Sequence, residues 1–132
     1  MTSPARTPGL AVPSAFVLPL LRLEGGVALL LAVLAYCHLG ASGWLFAATF
    51  LLPDLAMFGY LRSPVLGARL YNLAHSYLGP GVLAALAWVL SSGLLLSLAL
   101  VWAAHIGADR LLGFGLKAAT GFRDTHLSPG RH

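Results

Sequence analysis

Residues 94–112 read LLLSLALVWAAHIGADRLL, a mostly apolar run with its ionisable residues near the end. Its length matches the roughly 20 residues that a helix needs to cross a hydrocarbon core of about 30 Å. His105 and Asp109 are spaced i, i+4 and therefore share one face of that helix. The stretch predicts a membrane-spanning helix with two potential metal ligands on one side.

The composition of the whole chain agrees with lipid as its solvent. Of its 132 residues, 58% are hydrophobic and 9% are charged, whereas soluble domains carry about 25% charged residues. The alternating pattern typical of a membrane barrel is absent from the sequence. The chain therefore predicts an all-α fold, a bundle of four transmembrane helices at about residues 20–39, 44–60, 71–90 and 94–112.

The positive charges fall on one side of this four-span arrangement. Short turns rich in Gly and Ser, at 40–43 and 91–93, carry no charge on the other side. By the positive-inside rule the charged side is the cytoplasm, so both termini are predicted to be cytoplasmic. The basic residues lie between apolar runs and form no patch with aromatic residues, which excludes nucleic acid as a partner. They are Arg6, Arg22, Arg62, Arg69, Arg110, Lys117, Arg123 and Arg131.

Three segments follow from this pattern. Residues 1–19 are rich in Pro, Ser and Thr and predict a disordered cytoplasmic tail. Residues 20–112 form the transmembrane domain, and residues 113–132 form a cytoplasmic C-terminal tail that folds partly back on the bundle. Pro53 and Pro80 lie inside the second and third spans, and each is predicted to kink its helix because proline lacks a backbone donor.

Acidic and histidine side chains gather at one depth when this topology is applied. Asp54 and His75 lie about 9 Å and about 6 Å inside the second and third spans, and His105 and Asp109 lie in the last turns of the fourth. An ionisable group at the centre of a membrane costs at least about 2.5 kcal/mol, so it normally has a partner. These four side chains predict a nitrogen and oxygen site for a divalent metal, with zinc as the first choice.

Other polar residues belong to the same predicted region. His126 is a further candidate ligand, and Asp124 lies two residues before it in the C-terminal tail. Tyr71 and Asn72 lie within one turn before His75 and are candidates for substrate binding. An alternative stays open, in which His and Asp side chains pair only to fasten the helices together.

Several motifs in a fixed order carry a resemblance to a known family: RLEG (22–25), LPDL (52–55), YNLAH (71–75), AHIGADR (104–110) and GFRDTHL (121–127). Together they resemble the bacterial membrane family named domain of unknown function 4260. The resemblance covers about residues 20–128 and implies a multi-pass protein of the bacterial inner membrane. The family's name carries no activity with it.

The order of the polar residues also resembles that of inner-membrane metal-dependent hydrolases. In that pattern Asp54, His75, His105 and Asp109 fall on the metal-ligand positions. The chain lacks a second acid and an extra His-Arg of the pattern. The resemblance implies hydrolysis at a divalent metal.

The first functional hypothesis is a membrane-embedded metal-dependent hydrolase that faces the cytoplasm. Glu24 or Asp124 is its predicted general base, and an anionic phospholipid head group or phosphoester is its predicted substrate, held by Arg110, Lys117 and Arg123. The second hypothesis is a non-enzymatic binding or transport subunit that relays protons or ions and assembles as a homo-oligomer. The third is a structural membrane protein with a buried polar network.

Overall fold

The computed structural model describes residues 15–115, and all the regular structure among them is helical. The predicted all-α class is therefore confirmed for this part of the chain. Three stretches are long and apolar enough to cross a membrane: Val17–His38, Gly43–Leu61 and Gly93–Leu112. In chain order the helices are α1 (Val17–His38), α2 (Gly43–Thr49), a 3-10 helix (Leu52–Leu61), α3 (Pro64–Ala74), α4 (Leu78–Val89) and α5 (Gly93–Leu112).

The two longest helices, α1 and α5, pack antiparallel through glycine. A Cβ atom on Gly107 would lie 2.7 Å from the carbonyl oxygen of Gly25, and one on Gly25 would lie 2.9 Å from the carbonyl oxygen of Gly107. Small residues let membrane helices approach this closely. The contact fixes the register of α5, and Gly107 lies midway between His105 and Asp109 on that helix.

The second predicted span is interrupted, as expected from Pro53. Helix α2 ends at Thr49, and the chain continues as a 3-10 helix with the proline in its first turn. Proline there lacks only an N–H that would have no partner inside the helix. Asp54 follows directly in that first turn.

The connection predicted at residues 61–70 is wrong for most of its length, because α3 begins at Pro64. The Ser63 side chain accepts a hydrogen bond from the backbone N–H of Leu66 at 3.0 Å and caps the helix. A Cβ atom on Gly59 would lie 3.1 Å from the Cα atom of Gly67, so the 3-10 helix and α3 form a tight hairpin. The start of one arm and the end of the other therefore lie at the same level.

The third predicted span is also not a single helix, because α3 and α4 are separated by a turn at residues 75–77. Helix α4 has 12 residues, about 18 Å at 1.5 Å per residue, which is too short to cross the membrane alone. Pro80 lies in the first turn of α4, where its missing N–H is not needed. The predicted kink at Pro80 is thus wrong, and the break comes earlier.

The end of the bundle opposite the polar residues carries two exposed tryptophans. Trp44 in the first turn of α2 is 85% exposed, and Trp88 in the last turn of α4 is 84% exposed. Because α1 and α5 are antiparallel, both lie at the end where α1 stops and α5 starts. His105 lies about 18 Å from that end of α5 and about 10 Å from the other.

The predicted tails lie mostly outside the described residues. Helix α1 begins at Val17, so the predicted tail at residues 1–19 overlaps its first turn. Helix α5 ends at Leu112, and Gly113 follows with a φ of 93°, the left-handed conformation that glycine adopts most readily at a helix C-terminus.

Candidate metal centre

Four polar side chains converge where three elements meet. Asp54 comes from the first turn of the 3-10 helix, His75 from the residue that ends α3, and His105 with Asp109 from α5. Each offers one ligand atom, and these four atoms all lie within 4.8 Å of one another. The structure therefore brings together the four residues that the sequence nominated as metal ligands; we call them the His/Asp cluster.

The separations within the cluster are short and nearly equal. His75 Nε2 lies 3.0 Å from Asp54 Oδ1, 3.3 Å from Asp109 Oδ2 and 3.1 Å from His105 Nε2. His105 Nε2 lies 3.2 Å from Asp54 Oδ1 and 3.3 Å from Asp109 Oδ2. Five of the six pairwise distances are thus between 3.0 and 3.3 Å, so the four atoms surround one point.

The orientation of His75 is set by the end of α3. Its Nδ1 lies 3.0 Å from the backbone carbonyl oxygen of Tyr71, which can only accept, so Nδ1 carries the hydrogen. The Tyr71 ring stacks on the imidazole at 3.8 Å with an interplanar angle of 9°. In the neutral imidazole, Nε2 then directs its lone pair at the cluster, as in metal-ligating histidines.

The imidazole ring of His105 has apolar surroundings on one side. The Phe50 ring packs edge-on against the imidazole with ring centroids 5.2 Å apart. His105 Nδ1 is buried and has no hydrogen-bond partner in the described part of the chain. The ring is thus held by packing and by its Nε2 contacts.

The two imidazoles are shielded and the two carboxylates are reachable. His75 and His105 are 1% and 2% exposed, whereas the side chains of Asp54 and Asp109 are 36% and 19% exposed. A small molecule can therefore reach the cluster from its carboxylate side. In a low-dielectric setting, two carboxylates with neutral imidazoles also favour a cation.

Arg110 supports the cluster through its backbone. Its guanidinium donates to the carbonyl oxygen of His75 at 2.9 Å and to that of Phe114 at 3.1 Å. A planar fork can hold two acceptors at once, which an ammonium cannot do in the same way. This residue, predicted to bind substrate, therefore contacts the turn that carries His75.

The other predicted site residues lie against His75, apart from the cluster, or outside the described chain. Glu24 is exposed and lines a separate cavity of about 190 Å³ with Tyr77 and Arg110. Tyr71 is 3% exposed beneath His75, and Asn72 is partly buried next to it. The predictions that fall outside residues 15–115 concern Lys117, Arg123, Asp124 and His126.

An apolar cavity beside the cluster was not predicted. It has a volume of about 360 Å³ and is lined in part by Pro53, Ala74 and Trp102. The Trp102 indole N–H donates to the carbonyl oxygen of Ala74. The spacing of Trp102 one turn before His105 was visible in the sequence, but its partner on α3 depends on tertiary packing.

Comparison with known proteins gives a family and no activity. No curated protein and no solved structure matches the chain, so the resemblance to metal-dependent hydrolases stays a prediction. A family model described as "Domain of unknown function (DUF4260)" matches residues 19–129, a range that includes the whole His/Asp cluster. The match covers most of the chain, which confirms the resemblance seen in the motifs, and the protein belongs to this family.

Proposed function

We propose that this protein is a membrane-embedded, metal-dependent hydrolase whose His/Asp cluster binds one divalent ion, with zinc as the first choice. The observation that carries the proposal is the set of five nearly equal distances between ligand atoms from three elements. Ionisable side chains inside a membrane bundle are rare, and where they occur they usually mark a functional site.

The distances fit a single ion at the centre of the cluster. A tetrahedral site with bonds of about 2.0 Å separates its ligand atoms by about 3.3 Å. An octahedral site with bonds of about 2.1 Å separates neighbouring ligand atoms by about 3.0 Å. The separations of 3.0 to 3.3 Å span these two values.

Hydrogen bonds alone satisfy the cluster less well than a cation. The Nδ1 hydrogen of His75 is directed at Tyr71, so a neutral His75 has no hydrogen to offer to Asp54 or Asp109. A proton added at Nε2 can lie between only two of the four converging atoms. An ion at their centre contacts all four and offsets the charge of both carboxylates.

Water access gives the proposed ion a catalytic use. A divalent ion in this position makes a bound water a nucleophile at neutral pH. Asp54, the more exposed carboxylate, lies on the side from which water and substrate approach. We assign the general base to Glu24 or Asp124, and the binding of an anionic head group or phosphoester to Arg110, Lys117 and Arg123.

The proposed placement in the membrane follows the charge distribution. We infer that α3 and α4 together serve as the third span, so that the chain crosses the bacterial inner membrane four times with both termini in the cytoplasm. The cluster then lies in the inner leaflet, about 10 Å from the end of α5. The exposed Trp44 and Trp88 lie at the opposite interface, where amphipathic rings are common.

Metal analysis of the full chain in detergent tests the proposal. We expect one divalent ion per chain, retained through gel filtration, and its loss in His75→Ala and His105→Ala. His38→Ala is the matched control, since His38 is exposed at the far end of α1. Glu24→Gln and Asp124→Asn should both retain the ion, and one of the two should lower head-group release from phosphatidylglycerol vesicles.

Two results would contradict the proposal. One is a preparation without stoichiometric metal whose thermal unfolding temperature does not change on adding zinc, manganese or iron(II). The other is retention of the ion at the wild-type ratio in both His75→Ala and His105→Ala. Folding of each variant is checked by its circular dichroism before metal is measured.

The second candidate function is a metal-binding subunit without catalysis, because four protein ligands can complete the coordination sphere of a tetrahedral ion. Structural zinc sites are closed in this way, whereas catalytic sites keep an open position. The oxygens offered by Asp54 and Asp109 lie within 4.8 Å of each other, a range that includes the tetrahedral separation of about 3.3 Å and the octahedral trans separation of about 4.2 Å. Substitution with cobalt(II) distinguishes the closed, non-catalytic site from the open, catalytic one. Cobalt(II) absorbs visible light strongly when it is four-coordinate and weakly when it is six-coordinate. Strong bands that added phosphate leaves unchanged favour the non-catalytic subunit.

A further inference from the structure

The apolar cavity of about 360 Å³ is near the His/Asp cluster, although none of the four cluster residues lines it. Three of its lining residues are near neighbours of cluster residues in the chain. Pro53 precedes Asp54, Ala74 precedes His75, and Trp102 lies one turn before His105 on α5. The full lining is Thr49, Leu52, Pro53, Ala56, Ala74, Leu83, Leu98 and Trp102.

From the chain neighbours of the cluster residues, the cavity extends toward the middle of the bundle. Leu98 lies about 10 Å before His105 along α5, at 1.5 Å per residue, on the side of the tryptophan-bearing end. Leu83 contributes from the middle of α4. The cavity itself is apolar, and it begins at the chain neighbours of the polar cluster residues, an arrangement that suits an amphipathic molecule.

The lining offers little to water. The Thr49 hydroxyl donates to the carbonyl oxygen of Leu45 at 2.7 Å, and the Trp102 indole N–H donates to that of Ala74. Both side-chain hydrogens are thus used within the protein. A buried water needs two to four polar partners, and cavities lined by apolar groups stay dry or take up apolar ligands.

We propose that this cavity binds one hydrocarbon chain of a membrane lipid whose polar head reaches the His/Asp cluster. A water molecule's share of liquid volume is about 30 Å³, and a methylene group is of similar size, so the cavity holds about a dozen carbon atoms. This inference rests on the proposed function, because it names the substrate class of the same site. It places the junction between head and chain at the cluster.

Quenching of Trp102 by brominated lipid tests the proposal independently of activity. The full chain carrying Trp44→Phe and Trp88→Phe is reconstituted in phosphatidylglycerol vesicles with brominated or unbrominated acyl chains. Bromine quenches an indole only in contact, so a chain in the cavity should quench the fluorescence of Trp102. Ala56→Phe fills the cavity and should lower that quenching by at least half.

Ala85→Phe is the matched control, because Ala85 is exposed on α4 and does not line the cavity. It should leave the quenching of Trp102 unchanged. Leu83→Phe fills the cavity from the opposite wall and replaces Ala56→Phe if that variant does not fold. Equal quenching in the filled-cavity variant and in Ala85→Phe would overturn the proposal, as would the absence of quenching in the parent.

Metal analysis of the same preparations separates this inference from the proposed function. Stoichiometric metal without cavity-dependent quenching leaves the metal centre standing and overturns the lipid-chain site. Cavity-dependent quenching without metal overturns the hydrolase and supports a lipid-chain site of another use. Both signals together support a lipid as the substrate class.

Discussion

Substituting Gly107 by alanine tests how the contact between α1 and α5 supports the cluster. The new Cβ atom would lie 2.7 Å from both the carbonyl oxygen of Gly25 and the amide nitrogen of Leu29. Real Cβ atoms essentially never lie under 3.0 Å from another heavy atom, so the helices must move apart, by about 0.7 Å if an ordinary contact of 3.4 Å is to be restored. Both atoms belong to backbone, which cannot move aside as a flexible side chain can.

The expected cost follows from two opposing terms. Overpacking of this kind costs about 1–3 kcal/mol, while replacing a helical glycine by alanine gains about 0.5–1 kcal/mol. Gly81→Ala in α4 is the matched control, because a Cβ atom there has no heavy atom within 4 Å. The helix-propensity gain is common to both variants, so their difference in the free energy of unfolding isolates the steric cost.

Thermal unfolding in one detergent, followed by circular dichroism, measures that difference. One kcal/mol shifts the unfolding temperature by about 4–8 °C in domains of about 60–100 residues and by about 2–4 °C in domains of about 150–250 residues, so Gly107→Ala should unfold at least about 2 °C below Gly81→Ala. It should also bind metal more weakly, since ligand distances must hold to about 0.2 Å. A Gly107→Ala protein as stable as Gly81→Ala would refute the close helix approach and the register argument built on it.

Two further predictions concern the side chains that hold the turn after α3. Arg110→Lys should lower the unfolding temperature and the metal affinity, because an ammonium cannot bridge the carbonyl oxygens of His75 and Phe114. Arg69→Lys, at an exposed position, is the control. Equal effects of the two substitutions would argue against the bridge. Trp102→Phe should cost about 1–3 kcal/mol of stability by removing the donor to Ala74. Trp88→Phe, at an 84% exposed position, should be nearly neutral in the same thermal assay.

The long apolar helices were predictable because length and hydropathy alone decide them. Predicted spans at 20–39 and 94–112 correspond to α1 and α5 within a few residues at each end. The convergence of Asp54, His75, His105 and Asp109 was predictable for a related reason. Polar groups inside a membrane are few, and each needs a partner, so few pairings were available.

The hairpin formed by the 3-10 helix and α3 was not predicted from the sequence, although the local signals for it were present. Ser63 followed by Pro64 is a helix start, since serine caps and proline suits the first turn. Arg62 and Arg69 are charged, so the hydropathy and charge pattern alone placed residues 61–70 in a connection. The apolar cavity was not predictable at all, because five helices contribute to its wall and its shape depends on their packing.

The break between α3 and α4 and the His/Asp cluster depend on each other. Where a helix ends inside a membrane bundle, its last carbonyl groups need donors, because lipid offers none. The carbonyl of Tyr71 accepts the ring N–H of His75 in addition to its backbone N–H, Ala74 receives the indole N–H of Trp102, and His75 receives the guanidinium of Arg110. The first of these bonds is also the one that turns Nε2 of His75 toward Asp54 and His105. A continuous helix through residues 75–77 would use the carbonyls of Ala74 and His75 within its own backbone, and Trp102 and Arg110 would lose the acceptors that attach them to the turn carrying His75.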